Sequence, residues 1–238
     1  MRIIPILLLP LLLQACAPVT PAAPTEEYVA PFFKAPSPGS LLVLLPTKSS
    51  SPEVVGGEEF VLQQIHRQLT GVGYRVVALD AANYAVVWDQ EIKAVGGIYD
   101  TRTGALRTAA YAQALSALAK RVASETRGAM VISHSLVIRQ AKLLGTTAEW
   151  DGQRRTPPTT RTYGSEYRFH GTTSALSVEL LAISGDGTIA FKTLGGTSLP
   201  YRADTLAGQY EIRPDLFATD SETAEGVRIA LKPLLSNR

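Results

Sequence analysis

A single cysteine in 238 residues constrains this chain more than any other feature. Cys16 has no partner for an intrachain disulfide, so the cross-links that brace many small secreted domains are excluded. A thiolate-based metal site is excluded with them. The three histidines, His66, His134 and His170, are scattered without ligand spacing, and no metal set is assigned. Stability must come from apolar burial, and roughly 200 residues suffice for an ordinary core. Cys16 also closes an apolar run, Ile3 to Leu13, that follows Arg2 and contains Pro5 and Pro10. Eleven residues fall short of the roughly 20 a membrane-spanning helix needs. They match the apolar region of a secretory signal. Residues 1–15 are therefore read as a processing segment outside the fold.

The stretch Leu13-Gln14-Ala15-Cys16 resembles the lipobox of bacterial lipoproteins. That resemblance implies cleavage before Cys16, diacylglyceryl modification of its thiol and acylation with palmitate-type chains. Ala17, in place of Asp, follows the cysteine; by the same resemblance this implies an outer-membrane anchor with the chain facing the periplasm. The full chain carries 23 Lys and Arg against 21 Asp and Glu, and loss of the signal removes Arg2. A near-neutral body has no electrostatic footprint for nucleic acid.

Residues 16–39 form a Pro/Ala-rich stretch with Pro18, Pro21, Pro24, Pro31, Pro36 and Pro38, and read as a semi-extended tether. As polyproline II, at ~3.1 Å per residue, it reaches up to about 70 Å. Tyr28, Phe32 and Phe33 break its character and are expected to dock on the body or to meet a partner. A single α/β domain is read over 40–238. Leu41 to Leu45 is an unbroken apolar run suited to a strand covered on both faces. Val61, Leu62, Ile65 and Leu69 recur at helical spacing over 58–70, and 74–79 form the next strand. The spacing predicts further helices over 81–95 and 108–125, the second capped by Thr108, and a third strand over 129–132. Extended segments follow at 136–147 and 174–183, with a hairpin turn at Gly185-Asp186-Gly187-Thr188. A polar excursion, 148–173, reads as a loop or a hairpin tip, and 195–217 as irregular. The chain closes on a helix over 221–235, with Thr219 and Glu222 as a capping box. The fold class is α/β: a mixed β-sheet in two or three layers with flanking helices.

Chemistry-bearing motifs are sparse. Gly56-Gly57-Glu58-Glu59-Phe60 matches the signature of diguanylate cyclases, but a helix pattern starts inside it and the upstream domain is missing. Pro46-Thr47-Lys48-Ser49-Ser50 sits where phosphate loops sit but lacks their glycines. Ser133-His134-Ser135 follows the third strand without the G-x-S-x-G context of a hydrolase elbow. No catalytic residue or cofactor is assigned. The excursion has the best claim to a role: Trp150, Arg154, Arg155, Arg161, Tyr163, Tyr167 and Arg168 combine the arginine and aromatic types that anchor interfaces.

The lipobox, the strand opening at Leu41, the helix leading into Gly71-x-Gly-Tyr74-x-Val76-Val77, and the later strands with a C-terminal helix resemble two envelope families. These are the curli-secretion lipoproteins of the CsgG type and the N-terminal domain of TolB. The resemblance implies a non-enzymatic binding or assembly component of an envelope or secretion system, with a protein partner or further copies of itself. No hairpins here read as pore-lining, and no propeller follows the domain. The alternative is a periplasmic hydrolase using the crevice near Ser133-His134-Ser135.

Overall fold

The structure is a computed structural model that describes residues 27–47, 54, 56–159, 169–204 and 209–235. The signal segment, Cys16, Arg161, Tyr163, Tyr167 and Arg168 lie outside the described residues.

The apolar run folds as β2 (Leu41–Leu44), which pairs in parallel with β3 (Arg75–Ala78) and with the first part of β4 (Met130–Gly145). Leu42, Val43 and Leu44 are all buried, because helices cover both faces of this strand. Between β2 and β3 runs α1 (Gly57–Gly71), whose Val61, Ile65 and Leu69 are fully buried as their spacing requires. α2 (Ala81–Ala94) and α3 (Thr108–Thr126) cover the opposite face. Asp80 caps α2 by accepting from the Ala82 and Asn83 amides, each at 3.0 Å. The N-cap of α3 is Arg107 rather than Thr108, without a side-chain cap; Thr108 is the first helical residue.

The strands expected at 129–132 and 136–147 are one strand. β4 runs unbroken for 16 residues through Ser133-His134-Ser135 and pairs along its whole length with β7 (Phe169–Ser184). The polar triplet does not end the strand, because only alternate residues need burial on each face. β8 (Ile189–Gly196) follows the 185–188 turn and pairs with β7. Among the described residues the sheet has eight strands, in the order β1-β8-β7-β4-β2-β3 along its main path. Beyond the helices, β5 (Thr147–Trp150) and β6 (Gln153–Arg155) fold back on the far end of β4. The excursion therefore gives up both its ends to strands, 148–155 to this hairpin and 169–173 to β7. Residues 201–204 and 209–212, expected to be irregular, form a separate antiparallel pair, β9 (Tyr201–Asp204) and β10 (Gln209–Ile212).

The C-terminal helix comes in two pieces, α4 (Ser221–Ala230) and α5 (Lys232–Leu235). The expected capping box does not form: the N-cap is Asp220, and Glu222 is engaged elsewhere. α4 lies directly on the backbone of β8. A Cβ on Gly195 would sit 2.0 Å from the Gly226 carbonyl oxygen, so this approach requires glycine. The layers are thus helix, sheet, helix, with α1, α4 and α5 on one face and α2 and α3 on the other.

The body also takes in part of the stretch read as tether. β1 (Tyr28–Val29) pairs with β8, Phe33 meets the Phe191 ring edge-on at 5.5 Å, and Tyr74 Oη donates to the Pro36 carbonyl at 3.0 Å. Phe32 does not dock; it is 93% exposed.

Candidate functional site

The structure gathers the described part of the arginine-rich excursion at one corner, where the β5–β6 hairpin, the β9–β10 pair and the start of α4 meet. The hairpin turns at Asp151 and Gly152, both at positive φ. Trp150 is buried at 6% exposure, and its indole N–H donates to the Leu176 carbonyl at 3.0 Å. Its ring fills the space that a side chain at Gly196 would need. Trp150 is therefore a core element of the corner and presents no face to a partner, contrary to the sequence reading. Asp151 accepts from Ser177 Oγ at 2.6 Å and Arg139 Nε at 3.0 Å, which locks the hairpin onto β4 and β7.

Arg155 and Arg154 differ in the same way as inside differs from outside. Arg155 Nε donates to the Thr197 carbonyl at 2.9 Å and its Nη2 to Glu225 at 2.9 Å, joining the hairpin to α4. Arg154 stays exposed and pairs with the half-buried Glu149 across the hairpin at 3.3 Å. Arg213, which the sequence reading passed over, is the hub. Its guanidinium donates to both oxygens of Asp215, at 3.1 and 2.8 Å, and to both oxygens of Glu222 at 3.2 Å. The hydrogen bond to Asp215 raises the Arg213 pKa, and the same bond holds the Asp215 carboxyl below the usual carboxylate range. Arg202 pairs with Glu211 at 2.9 Å. A cavity of about 310 Å³ opens among Arg155, Arg202, Arg213, Asp215, Glu222 and Leu199. The signal that could have found it is Arg213-x-Asp215 placed just before a helix with an acidic first turn.

This arrangement suits recognition and not bond-making. The guanidinium groups are already bonded to carboxylates and carbonyls, so they form a stiff polar surface. A partner would meet the outer atoms of Arg154, Arg202 and Glu149, with fixed geometry behind them.

The hydrolase reading fails on strand geometry. Successive side chains of a strand point to opposite faces. His134 shares the face of Ile132 and Leu136 against α1, whereas Ser133 and Ser135 share the face of Val131. The imidazole cannot reach either serine hydroxyl from the other side of the sheet. Its Nε2 meets Thr47 Oγ1 at 2.5 Å, and its Nδ1 is buried without a hydrogen-bond partner among the described residues. Burial lowers its pKa from 6.5 to about 4. An imidazole so weakly basic, with no carboxylate on Nδ1 to orient it, is a poor general base for the Thr47 hydroxyl.

His66 lies on α1 and His170 near the far end of the β4–β7 hairpin, and no cluster of metal-ligating side chains occurs among the described residues. Gly56-Gly57-Glu58-Glu59 opens α1 directly, as the helix pattern inside the motif predicts.

No family model matches the chain, and no curated protein matches it. Two solved structures are similar over much of their length. A PelC dodecamer from Paraburkholderia phytofirmans is 10% identical, with a TM-score of 0.37, over 87% of this chain and 96% of that one. Lipoprotein GNA1162 from Neisseria meningitidis is 15% identical, with a TM-score of 0.30, over 67% of this chain and 82% of that one. Likenesses this distant fix neither family nor function.

Proposed function

We propose that this chain is a non-enzymatic lipoprotein of the bacterial envelope, anchored in the outer membrane by acyl chains on Cys16 and facing the periplasm. There it serves as a binding or assembly component of an envelope or secretion system. The observation that carries this reading is the lipobox-like Leu13-Gln14-Ala15-Cys16, placed behind an apolar run of signal length. Two acyl chains, at about 0.8 kcal/mol per buried CH₂, hold a protein stably at a bilayer. The docking surface is the arginine corner, with Arg154 and Arg202 on its outside; Arg161, Tyr163, Tyr167 and Arg168 are included as members of the same excursion by sequence. The occupant is a protein partner or a further copy of the chain.

The anchor is tested by mass spectrometry of the Cys16 peptide and by fractionation of a Cys16→Ser variant. A diacylglyceryl-modified peptide and release of the variant from membranes are expected; an unmodified, membrane-bound Cys16→Ser chain sinks the reading. The docking surface is tested by cross-linking in intact cells with Arg154, Arg161 and Arg168 changed to Glu. Retention of every cross-linked product would remove the corner from the reading.

A further inference from the structure

The short turn that follows β1 displays an apolar side chain in a way the fold does not explain. Phe33 N–H donates to the Ala30 carbonyl at 2.9 Å, closing a tight turn with Pro31 and Phe32 at its apex. Both flanks are pinned. On one side Ala30 N–H donates to the Ala190 carbonyl at 2.8 Å, continuing the pairing of β1 with β8. On the other side Phe33 packs on Phe191. Phe32 is therefore held out at 93% exposure by a fixed backbone, and it is not the loose end of a chain. Beside it, Val29, Phe33, Ile229 and Pro233 line an open apolar groove of about 550 Å³, rimmed by Lys232 and Glu27. Lys34, two residues after Phe32, is also exposed.

The distance to the anchor decides what this surface meets. Because residues 27–39 belong to the body, only residues 17–26 separate Cys16 from it. Whatever their conformation, eleven steps of at most ~3.6 Å limit the separation to about 40 Å. That is about the width of a compact body of roughly 200 residues, from its expected radius of gyration. The root of the connection is therefore held within about one body width of the bilayer, which puts the surface beside it within reach of the headgroups. We infer that the Pro31–Phe32 turn and the adjoining groove rim are a second membrane contact. In it Phe32 enters the headgroup–acyl boundary while Lys34 and Lys232 face lipid phosphates. The inference rests on lipidation of Cys16. It converts the anchor from a free leash into one that fixes which side of the sheet faces the membrane.

The test uses the full chain, purified from membranes and reconstituted into phosphatidylethanolamine and phosphatidylglycerol vesicles with or without brominated acyl chains. Tryptophan is placed by Phe32→Trp, or by Val86→Trp as a control. Val86 is 58% exposed on α2, which lies on the face of the sheet opposite to α4 and α5. The native Trp88 and Trp150 are buried and give a constant background. The Phe32→Trp emission should shift to the blue and be quenched by the brominated lipid, while the Val86→Trp emission is unaffected. Equal, low quenching at both positions overturns the inference, whichever way soluble acrylamide then behaves. Access to acrylamide means that the turn stays in water; protection from it means that a second copy or another protein covers the turn. The Cys16 peptide mass separates the two levels of failure. Unmodified cysteine removes the lipidation reading and this inference with it, whereas modified cysteine without quenching removes this inference alone.

Discussion

The two ends of the β4–β7 hairpin pass through regions built on different physics. At the helix-covered end, Leu42, Ile65, Leu118, Ile132 and Leu180 are buried on both faces of the sheet, and dispersion and apolar burial hold the layers together. At the far end a smaller cluster, Ala141, Leu143, Ala148, Trp150, Ala175 and Leu199, is closed by side-chain hydrogen bonds that Asp151 accepts and that Arg155 and Arg213 donate. The first kind of packing is insensitive to charge and forgiving of surface change. The second fixes the positions of a few polar groups at a modest gain in stability, because a desolvated ion pair recovers little beyond its own cost. The docking role proposed for the corner needs that positional stiffness more than it needs stability.

Four measurements would break or sharpen this contrast. The largest effect belongs to the apolar end: Ile65→Ala should lower the unfolding free energy by about 3–4 kcal/mol in a urea titration, as a buried aliphatic truncation does. Gly195→Ala should cost about 3 kcal/mol, because its methyl collides with the α4 backbone, and loss below about 1 kcal/mol would mean that α4 can slide. Third comes His134. The folded imidazole stays neutral down to a pH of about 4, while the unfolded chain takes up a proton below about 6.5. Between those values the unfolded state binds more protons, so stability falls as the pH falls. The loss reaches about 3 kcal/mol near the lower limit, and it is smaller than the effect of either substitution above at any pH above about 5. Denaturant titrations of the native chain and of His134→Gln should diverge across that window; parallel curves would contradict the burial of the ring. The smallest effects belong to the corner: Arg213→Ala should cost about 2 kcal/mol, and exposed Arg154→Ala within about 0.5 kcal/mol of zero. If Arg213→Ala proved as costly as Ile65→Ala, the corner would be part of the stability core and the contrast would fail.

The helix-covered end was legible in the sequence because periodicity reports burial. Val61, Ile65 and Leu69, and Leu115, Leu118 and Val122, step along single faces and are buried where they should be. The corner was legible mostly as composition. Arg155 with Glu225 brings together segments 70 residues apart, which no local spacing encodes, whereas Arg213 left the local pattern Arg213-x-Asp215 before the acidic first turn of α4. Glu222 had the spacing of a capping box with Thr219, but the guanidinium of Arg213 competes successfully for its carboxylate. Ser133 and Ser135 broke the apolar run and so hid the length of β4; they lie on a stretch of face where Leu181 and Glu179 are their cross-strand neighbours. Trp150 shows the limit of residue type as a guide, since an aromatic among arginines turned out to be core.

The pairing of β1 with β8 has a consequence for the order of events during folding. Tyr28 pairs with Lys192 and Val29 with Phe191, so the β1 segment has no strand to join until the chain is complete to Lys192. A chain that emerges N-terminus first therefore keeps Tyr28 and Val29 unpaired through most of its emergence. Closure of β1 onto β8 is thus a late event, and the sheet gains this edge strand only after β8 is in place.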